Sequence, residues 1–405
     1  MTEPRRIPPP WLLGWGNLPV AVSGSVGLIA VPDLLAAAHV PEAQIAIVTS
    51  LYIAAGFIGI PLSPILDWRF SRRTYAIVLT SLGTLCQFGA LISIHNTVLL
   101  GALLFIGGLS MTMAVGAAGG WFGDLVPAGH KDSLGAWFTA VNFGFGGAVA
   151  ALIVYLTSAL PYPFGEAASS GLTLLVLPLF VLTPCPPADR ALASESFGRF
   201  ARAVTDLLMR KDVQWVLVFF LAPSASFALT NTLSGFGRYF HTSTELVGVI
   251  GGVGVSLAGV TGSLLVPPLT KRIAPVILYL MVGLVGAAFT FSLIPAARDS
   301  VVFGIAVLGQ NLFQAAALSA AAAITFRTID KDKRFAATQF TVLIGVTQIP
   351  LTYMQMIDGR AFDLGGVSAT FLADALISGS ACVLLGILYR RANLKAAPEL
   401  ASPQA

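Results

Sequence analysis

Fifty consecutive residues, Thr74 to Gly123, contain no Asp, Glu, Lys or Arg. A soluble domain carries about 25% charged residues, so a run of this length excludes a water-exposed fold. Further charge-free runs cover Val213–Gly237, Leu246–Thr270, Ile273–Ala297, Ser300–Phe326 and Phe335–Ile357. A helix needs about 20 apolar residues to cross a hydrocarbon core of about 30 Å. The first run holds two crossings, broken near His95 and Asn96, and the others hold one each. Lipid admits only helices or closed barrels, and the ten-residue alternating segments of a barrel are missing. The sequence therefore predicts an all-α, polytopic membrane protein.

Twelve helices are expected, at roughly 11–38, 44–66, 74–95, 98–123, 135–157, 168–184, 212–235, 246–269, 274–294, 300–326, 336–358 and 367–389. Basic residues resist translocation. Of the 23 Lys and Arg residues, twenty fall in one alternating set of gaps, and the complementary set holds only Arg238, Arg298 and Arg360. The rich set, from Arg5 and Arg6 to Arg390, Arg391 and Lys395, is expected on the cytoplasmic side, with both termini. Trp11, Trp15, Trp68, Trp121 and Trp215 lie near the expected interfaces. No cleavable signal peptide is expected. The net charge of +4 sits in short loops, where orientation and anionic headgroups account for it without nucleic acid. Cys86, Cys185 and Cys382 have no metal or redox spacing. Neither a metal nor a cofactor is expected.

Four domains are expected. Residues 1–184 form a six-helix bundle and 185–211 a cytoplasmic linker. Residues 212–391 form a second six-helix bundle, and 392–405 a cytoplasmic tail. Within the linker, Phe197, Phe200, Val204, Leu207 and Leu208 share one helical face, which reads as an amphipathic helix on the inner leaflet or a plain linker helix. The halves show an internal repeat. Pro64 and Arg69 match Pro267 and Arg272, and Phe138-Thr139 matches Phe340-Thr341, each about half a chain apart. Lys131-Asp132 and Lys331-Asp332 precede the latter pair. Such pseudo-symmetry is typical of secondary transporters.

The stretch Ser63-Pro-Ile-Leu-Asp67-Trp-Arg69-Phe-Ser-Arg72-Arg73 resembles the helix 2–3 signature of the major facilitator superfamily. The resemblance implies that Asp67 caps a neighbouring helix and pairs with basic residues, latching a cytoplasmic gate. Arg69, Arg72 and Arg73 stand at the matching basic positions. Ser63 and Ser71 replace the usual glycines, and Thr270 stands where a second-half Asp would be. Gly119-Gly-Trp-Phe-Gly-Asp124, Leu134-Gly-Ala-Trp-Phe-Thr139 with Asn142, Pro223–Asn231 and Tyr353–Arg360 look like permeases related to the muropeptide permease (AmpG). That group includes the acetyl-coenzyme A transporters. The resemblance implies proton-coupled uptake of sugar–peptide or nucleotide-like solutes.

An ionisable side chain within a membrane costs roughly 2.5–3.5 kcal/mol on insertion scales, so the few present invite a functional reading. Asp33, near the outer end of helix 1, is a candidate proton carrier or a wetted loop residue. Asp374, the deepest acid, is a candidate carrier or a structural partner of Arg360 or of helix 11 backbone. Asp358 and Arg360, at the expected end of helix 11, form a candidate outer gate, touch a charged solute, or simply lie exposed. Asp124 is expected to meet the basic loops. Neutral polar residues read as solute contacts or interhelical hydrogen bonds: Asn17, Asn142, Thr230, Asn231, Gln310, Asn311, Gln314, Gln348 and Tyr353.

These features predict a monomeric secondary active transporter of the cytoplasmic (inner) membrane, whose partners are a small-molecule solute, protons and lipids. Proton-antiport efflux of drugs or metabolites is the alternative, and a non-transporting receptor a distant one. A membrane enzyme needs an acid–base or metal constellation. His39, His95, His130 and His241 are scattered over span ends on both sides, so no catalytic residues are assigned.

Overall fold

The computed structural model describes residues 7–185, 197–329 and 333–399. The expectations placed on Arg5, Arg6, Arg190, Lys331, Asp332 and the end of the tail lie outside these residues. The described chain is helical throughout. Ten of its helices are long and apolar enough to cross a membrane. The first half supplies α1 (Pro10–Ala37), α2 (Gln44–Asp67), α3 (Arg72–Ile92), α4 (Thr97–Leu125), α5 (Ala128–Ala159) and α6 (Phe164–Leu182). The second supplies α8 (Thr244–Thr270), α9 (Pro275–Ser292), α10 (Ser300–Ile329) and a long run, Ala336–Arg391.

Two departures reconcile ten with twelve. The long run loses helical geometry at Gly365 and Gly366, where Gly366 has φ of 63°. A Cβ is strained there and glycine is not. The break leaves α11 (336–364) and α12 (367–399), so α11 is longer than expected and Asp358 and Arg360 lie within it rather than at its end. The other departure is α7, expected as one helix over 212–235. It is regular only over Lys211–Leu221 and continues as 3-10 turns to Phe240. Pro223 lacks the N–H that would continue the ladder, and Phe227 adopts a left-handed φ of 48°. The bend lies directly on α9. A Cβ at Gly283 would collide with the Ser224 carbonyl, and one at Gly286 with the Phe227 ring.

Local chemistry sets the other ends. Ser71, Asn96 and Ser243 cap α3, α4 and α8 by accepting from Thr74 N (3.1 Å), Leu99 N (3.1 Å) and Leu246 N (3.3 Å). His39 and His241 stop α1 and α7 in the left-handed conformation, at equivalent places in the two halves.

One apolar core, built around Trp121, Phe122, Phe138 and Phe180, belongs mainly to the first half, and two others to the second. Leu207 and Val204 of the linker helix (Phe197–Leu208) pack on the second-half core, so that part of its apolar face covers protein. The halves meet where α5 lies on α8 and α10, and where α2 and α4 lie on α11. Glycines allow the approach. Gly116, Gly119 and Gly120 of α4 press on Thr341, Phe340 and the Ala336–Ala337 backbone, and Gly135 presses on Ala322 and Ala323. Leucine, isoleucine and valine side chains such as Val98, Leu85 and Leu175 cover the outside, as lipid contact requires.

Candidate functional site

The 3-10 turn Ser63–Asp67 delivers the Asp67 carboxylate to the N-terminus of α11. Its Oδ2 accepts from Thr338 N (2.7 Å) and Thr338 Oγ1 (2.8 Å), and Oδ1 from Ala337 N (3.3 Å). A helix N-terminus has unpaired N–H groups and a positive dipole end, so a carboxylate there is doubly favoured. Oδ1 also accepts from Arg72 Nε at 2.7 Å. The same guanidinium reaches Asp124 Oδ2 at 3.4 Å and donates to the Lys333 carbonyl at 2.8 Å. Lys333 Nζ in turn lies 3.2 Å from Asp124 Oδ1 and 3.0 Å from its carbonyl.

Four formal charges thus alternate across α2, α3, α4 and the start of α11. Asp67, Arg72 and Asp124 are all buried. The planar fork of arginine suits this bridging, because it presents several fixed donors at once. Beside it, Lys131 is fully buried and donates to the Phe326 carbonyl in the last turn of α10 (3.3 Å). Arg327 pairs with Asp132 at 2.5 Å. Lys131, Lys333 and Thr338 were not among the expected site residues. The only signal was basic-loop charge and the Lys131-Asp132 pair, neither of which says what a lysine touches. Arg69 and Arg73 stand apart. Arg69 is exposed in a left-handed conformation, and Arg73 donates to the Val181 carbonyl at 2.7 Å.

The polar candidates are dispersed. Asn17 donates to the Phe138 carbonyl (2.8 Å), joining α1 to α5. Gln310 donates to Thr290 Oγ1 (2.5 Å), joining α10 to α9, and Asn311 to the Val307 carbonyl (2.8 Å). Tyr353 donates its hydroxyl to the Leu221 carbonyl at 2.8 Å, an acceptor freed by the break in α7. Thr230 bonds the Phe227 carbonyl within that break (2.8 Å). Gln314 is buried, Asn142 half-buried, and Asn231 and Gln348 are exposed. Asp33 is exposed on the last turns of α1, and Arg360 is exposed on α11.

Asp358 and Asp374 are the interior acids of the second half, 1% and 3% exposed. Among the described residues, neither oxygen of Asp358 has a hydrogen-bond partner, nor has Asp374 Oδ1. The expected pairing of Asp358 or Asp374 with Arg360 therefore does not form. Thr370 Oγ1 on α12 donates to the Asp358 carbonyl at 3.4 Å. Among the described residues no three His, Cys, Asp or Glu side chains gather as a metal site.

Chemically, the basic end can hold two bundles together, and the second-half interior can take up a positive species. Several solved structures share the fold. The E. coli fucose:proton symporter FucP is 18% identical, with a TM-score of 0.66 over 93% of this chain and 97% of that one. The proton:xylose symporter XylE is 14% identical, with a TM-score of 0.66 over 94% and 93%. The human organic anion transporter MFSD10 is 18% identical, with a TM-score of 0.65 over 92% and 98%. No curated protein matches the chain in sequence. The family model described as Major Facilitator Superfamily matches residues 13–340; the chain belongs to that superfamily.

Proposed function

We propose that this protein is a secondary active transporter that takes up a small polar solute together with protons. It would work by alternating access between the 1–184 and 212–391 bundles, as a monomer in the cytoplasmic membrane. One observation carries the reading. Among the described residues, every ion pair and side-chain hydrogen bond between the halves lies at one end. A barrier made of reversible polar contacts at one end only is what a two-state gate needs. The positive-inside rule makes that end cytoplasmic, so this conformation is the outward-facing one. Asp67, Arg72 and Asp124 form the latch.

Proton coupling is stated in the names of two structural neighbours. The interior acids Asp358 and Asp374 are better placed for it than the exposed Asp33. Asn142, Asn231 and Gln314 have amide groups free of hydrogen-bond partners among the described residues with which to meet a solute, and Gln348 donates only to the neighbouring Thr347 Oγ1 (3.3 Å). No Lys or Arg sits in the spans of α7 to α10 away from the ends, which favours a neutral or weakly charged solute, such as a sugar–peptide of the muropeptide class. The test uses purified protein in liposomes holding a pH dye, challenged with a solute panel that includes anhydro-muropeptides. Solute-dependent acidification that Asp358→Asn abolishes supports the reading. Alkalinisation would mean antiport, and no response to any solute overturns it.

A further inference from the structure

The bend in α7 encloses polar atoms, those of Ser226 and Ser378, that the transport reading does not use. Between Ser224–Phe227, α9 and α12 lies a cavity of about 10 Å3, close to the space one water occupies. Ser224, Ser226, Asp374 and Ser378 line it, together with Gly283 and Gly286. Three oxygens of this lining have no partner among the described residues: Ser226 Oγ, Ser378 Oγ and Asp374 Oδ1. Their residues are 6%, 6% and 3% exposed. Buried polar atoms are nearly always paired, so three orphans around one small space call for a guest.

The guest's chemistry follows from the donors. They are a carboxylate and two hydroxyls, gathered at an unwound turn. Such hard oxygen ligands select hard cations. Among the described residues no Lys or Arg pairs with Asp374, and Arg298 is committed to Ser368 Oγ and to the Phe240 and Phe371 rings. One carboxylate balances one positive charge. Protonating Asp374 would remove the charge but leave both serine hydroxyls unpaired. A water would pair the hydroxyls but leave the charge. A small monovalent cation answers both, and broken membrane helices supply this kind of ion site.

We infer that Asp374, Ser226 and Ser378, with the unwound turn of α7, form a monovalent-cation site of Na+ size, tying α7 to α12 across the break. This site shares Asp374 with the proton assignment above, so a proton and the cation compete for one carboxylate, but it involves neither Asp358 nor the solute.

The test is thermal unfolding of the purified full-length protein in detergent, with NaCl, KCl or choline chloride at equal ionic strength and no solute. Na+ is expected to raise Tm saturably, by about 2–4 °C at high concentration, because a ligand of the folded state alone stabilises it by mass action. Asp374→Asn and Ser378→Ala should each abolish the shift or weaken Na+ at least roughly tenfold. Glu245→Gln, exposed at the start of α8, should keep it. Should Asp374→Asn fail to fold, Ser378→Ala, which deletes only a hydroxyl, decides alone. Equal Tm in Na+ and choline, or a Na+ shift untouched in Ser378→Ala, would mean an ordered water only and would overturn the site.

Discussion

Asp67 and Asp124 are buried about as deeply as Asp358 and Asp374, yet the two pairs stand in opposite surroundings. At the basic end, each carboxylate meets a cation within 3.4 Å, and Asp67 also takes two backbone N–H groups. In the second-half interior, three of the four carboxyl oxygens have no hydrogen-bond partner among the described residues. Burying a charge is costly unless it is paired. The first pair is therefore complete as it stands and resists change. The second is incomplete without a proton or an ion. Completed acids hold a conformation, and incomplete ones bind.

The largest expected effect breaks the complete pair. Arg72→Ala leaves two buried carboxylates without their shared cation, which costs about 3–5 kcal/mol. The pairs with Asp67 and Asp124 lie within the first half, so the part of the loss that falls on the closed arrangement is the bond to the Lys333 carbonyl across the halves. A hydrogen bond from a charged donor is worth about 1.5–3 kcal/mol, so the open–closed equilibrium should move by roughly ten- to a hundredfold. Thr341, buried against Gly116, reports it. In a Cys185→Ser background, Thr341→Cys should be inert to an impermeant maleimide applied at the basic end, and reactive once Arg72 is Ala. By contrast, Asp358→Asn removes a carboxyl that has no partner to lose, so Tm should stay within about 2–4 °C of the parent. A collapse of Asp358→Asn as deep as that of Arg72→Ala would erase the distinction.

Packing gives the next effect. Gly120 touches the Ala336–Ala337 backbone so closely that a methyl group meets main chain, which cannot swing aside. Gly120→Ala should cost the closed state about 1–3 kcal/mol while leaving the charge network intact. Raised maleimide labelling of Thr341→Cys with little change in Tm would show that steric fit and charge close the same gate. Unchanged labelling would mean that the charges suffice.

How much of this was legible in the sequence depends on range. The spans were legible because a twenty-residue apolar run in lipid has one solution, and the local caps refine only its ends. The break in α7 was not. Pro223 lay inside a helix expected over 212–235, and the left-handed Phe227 and the groove at Gly283 and Gly286 depend on α9, some sixty residues on. The polar Asp358-Gly-Arg360 segment read as the end of α11, since charges usually mark span ends; here the acid turns inward and the helix continues. The Ser63–Arg73 stretch named Asp67 and Arg72 through a family resemblance, whereas Lys131 and Lys333 were visible only as loop charge. Among the amides, composition could not separate Asn17, which bonds α5, from Asn142, which has no such bond.

The smaller effects test whether the second half is held as firmly as the first. Tyr353→Phe deletes the hydroxyl that satisfies the Leu221 carbonyl at the α7 break. A net hydrogen bond contributes about 0.5–1.5 kcal/mol, so a modest fall in Tm is expected. If the Na+ site spans the same break, the loss should shrink at saturating Na+, because the ion then secures α7 from the α12 side.

The smallest effect belongs to Arg327 and Asp132. They are joined across the halves at the same end as Arg72, but the arginine side chain is 46% exposed. Water screens such a pair, and exposed pairs are worth about 0–1 kcal/mol. Arg327→Ala should therefore leave Thr341→Cys nearly as inert as in the parent, and any effect should vanish in high salt. The effect of Arg72→Ala should persist there, since ions do not reach a buried network. A salt-sensitive Arg72 phenotype would show that the network opens to water often enough to be screened. Burial would then no longer separate a gate contact from a surface one.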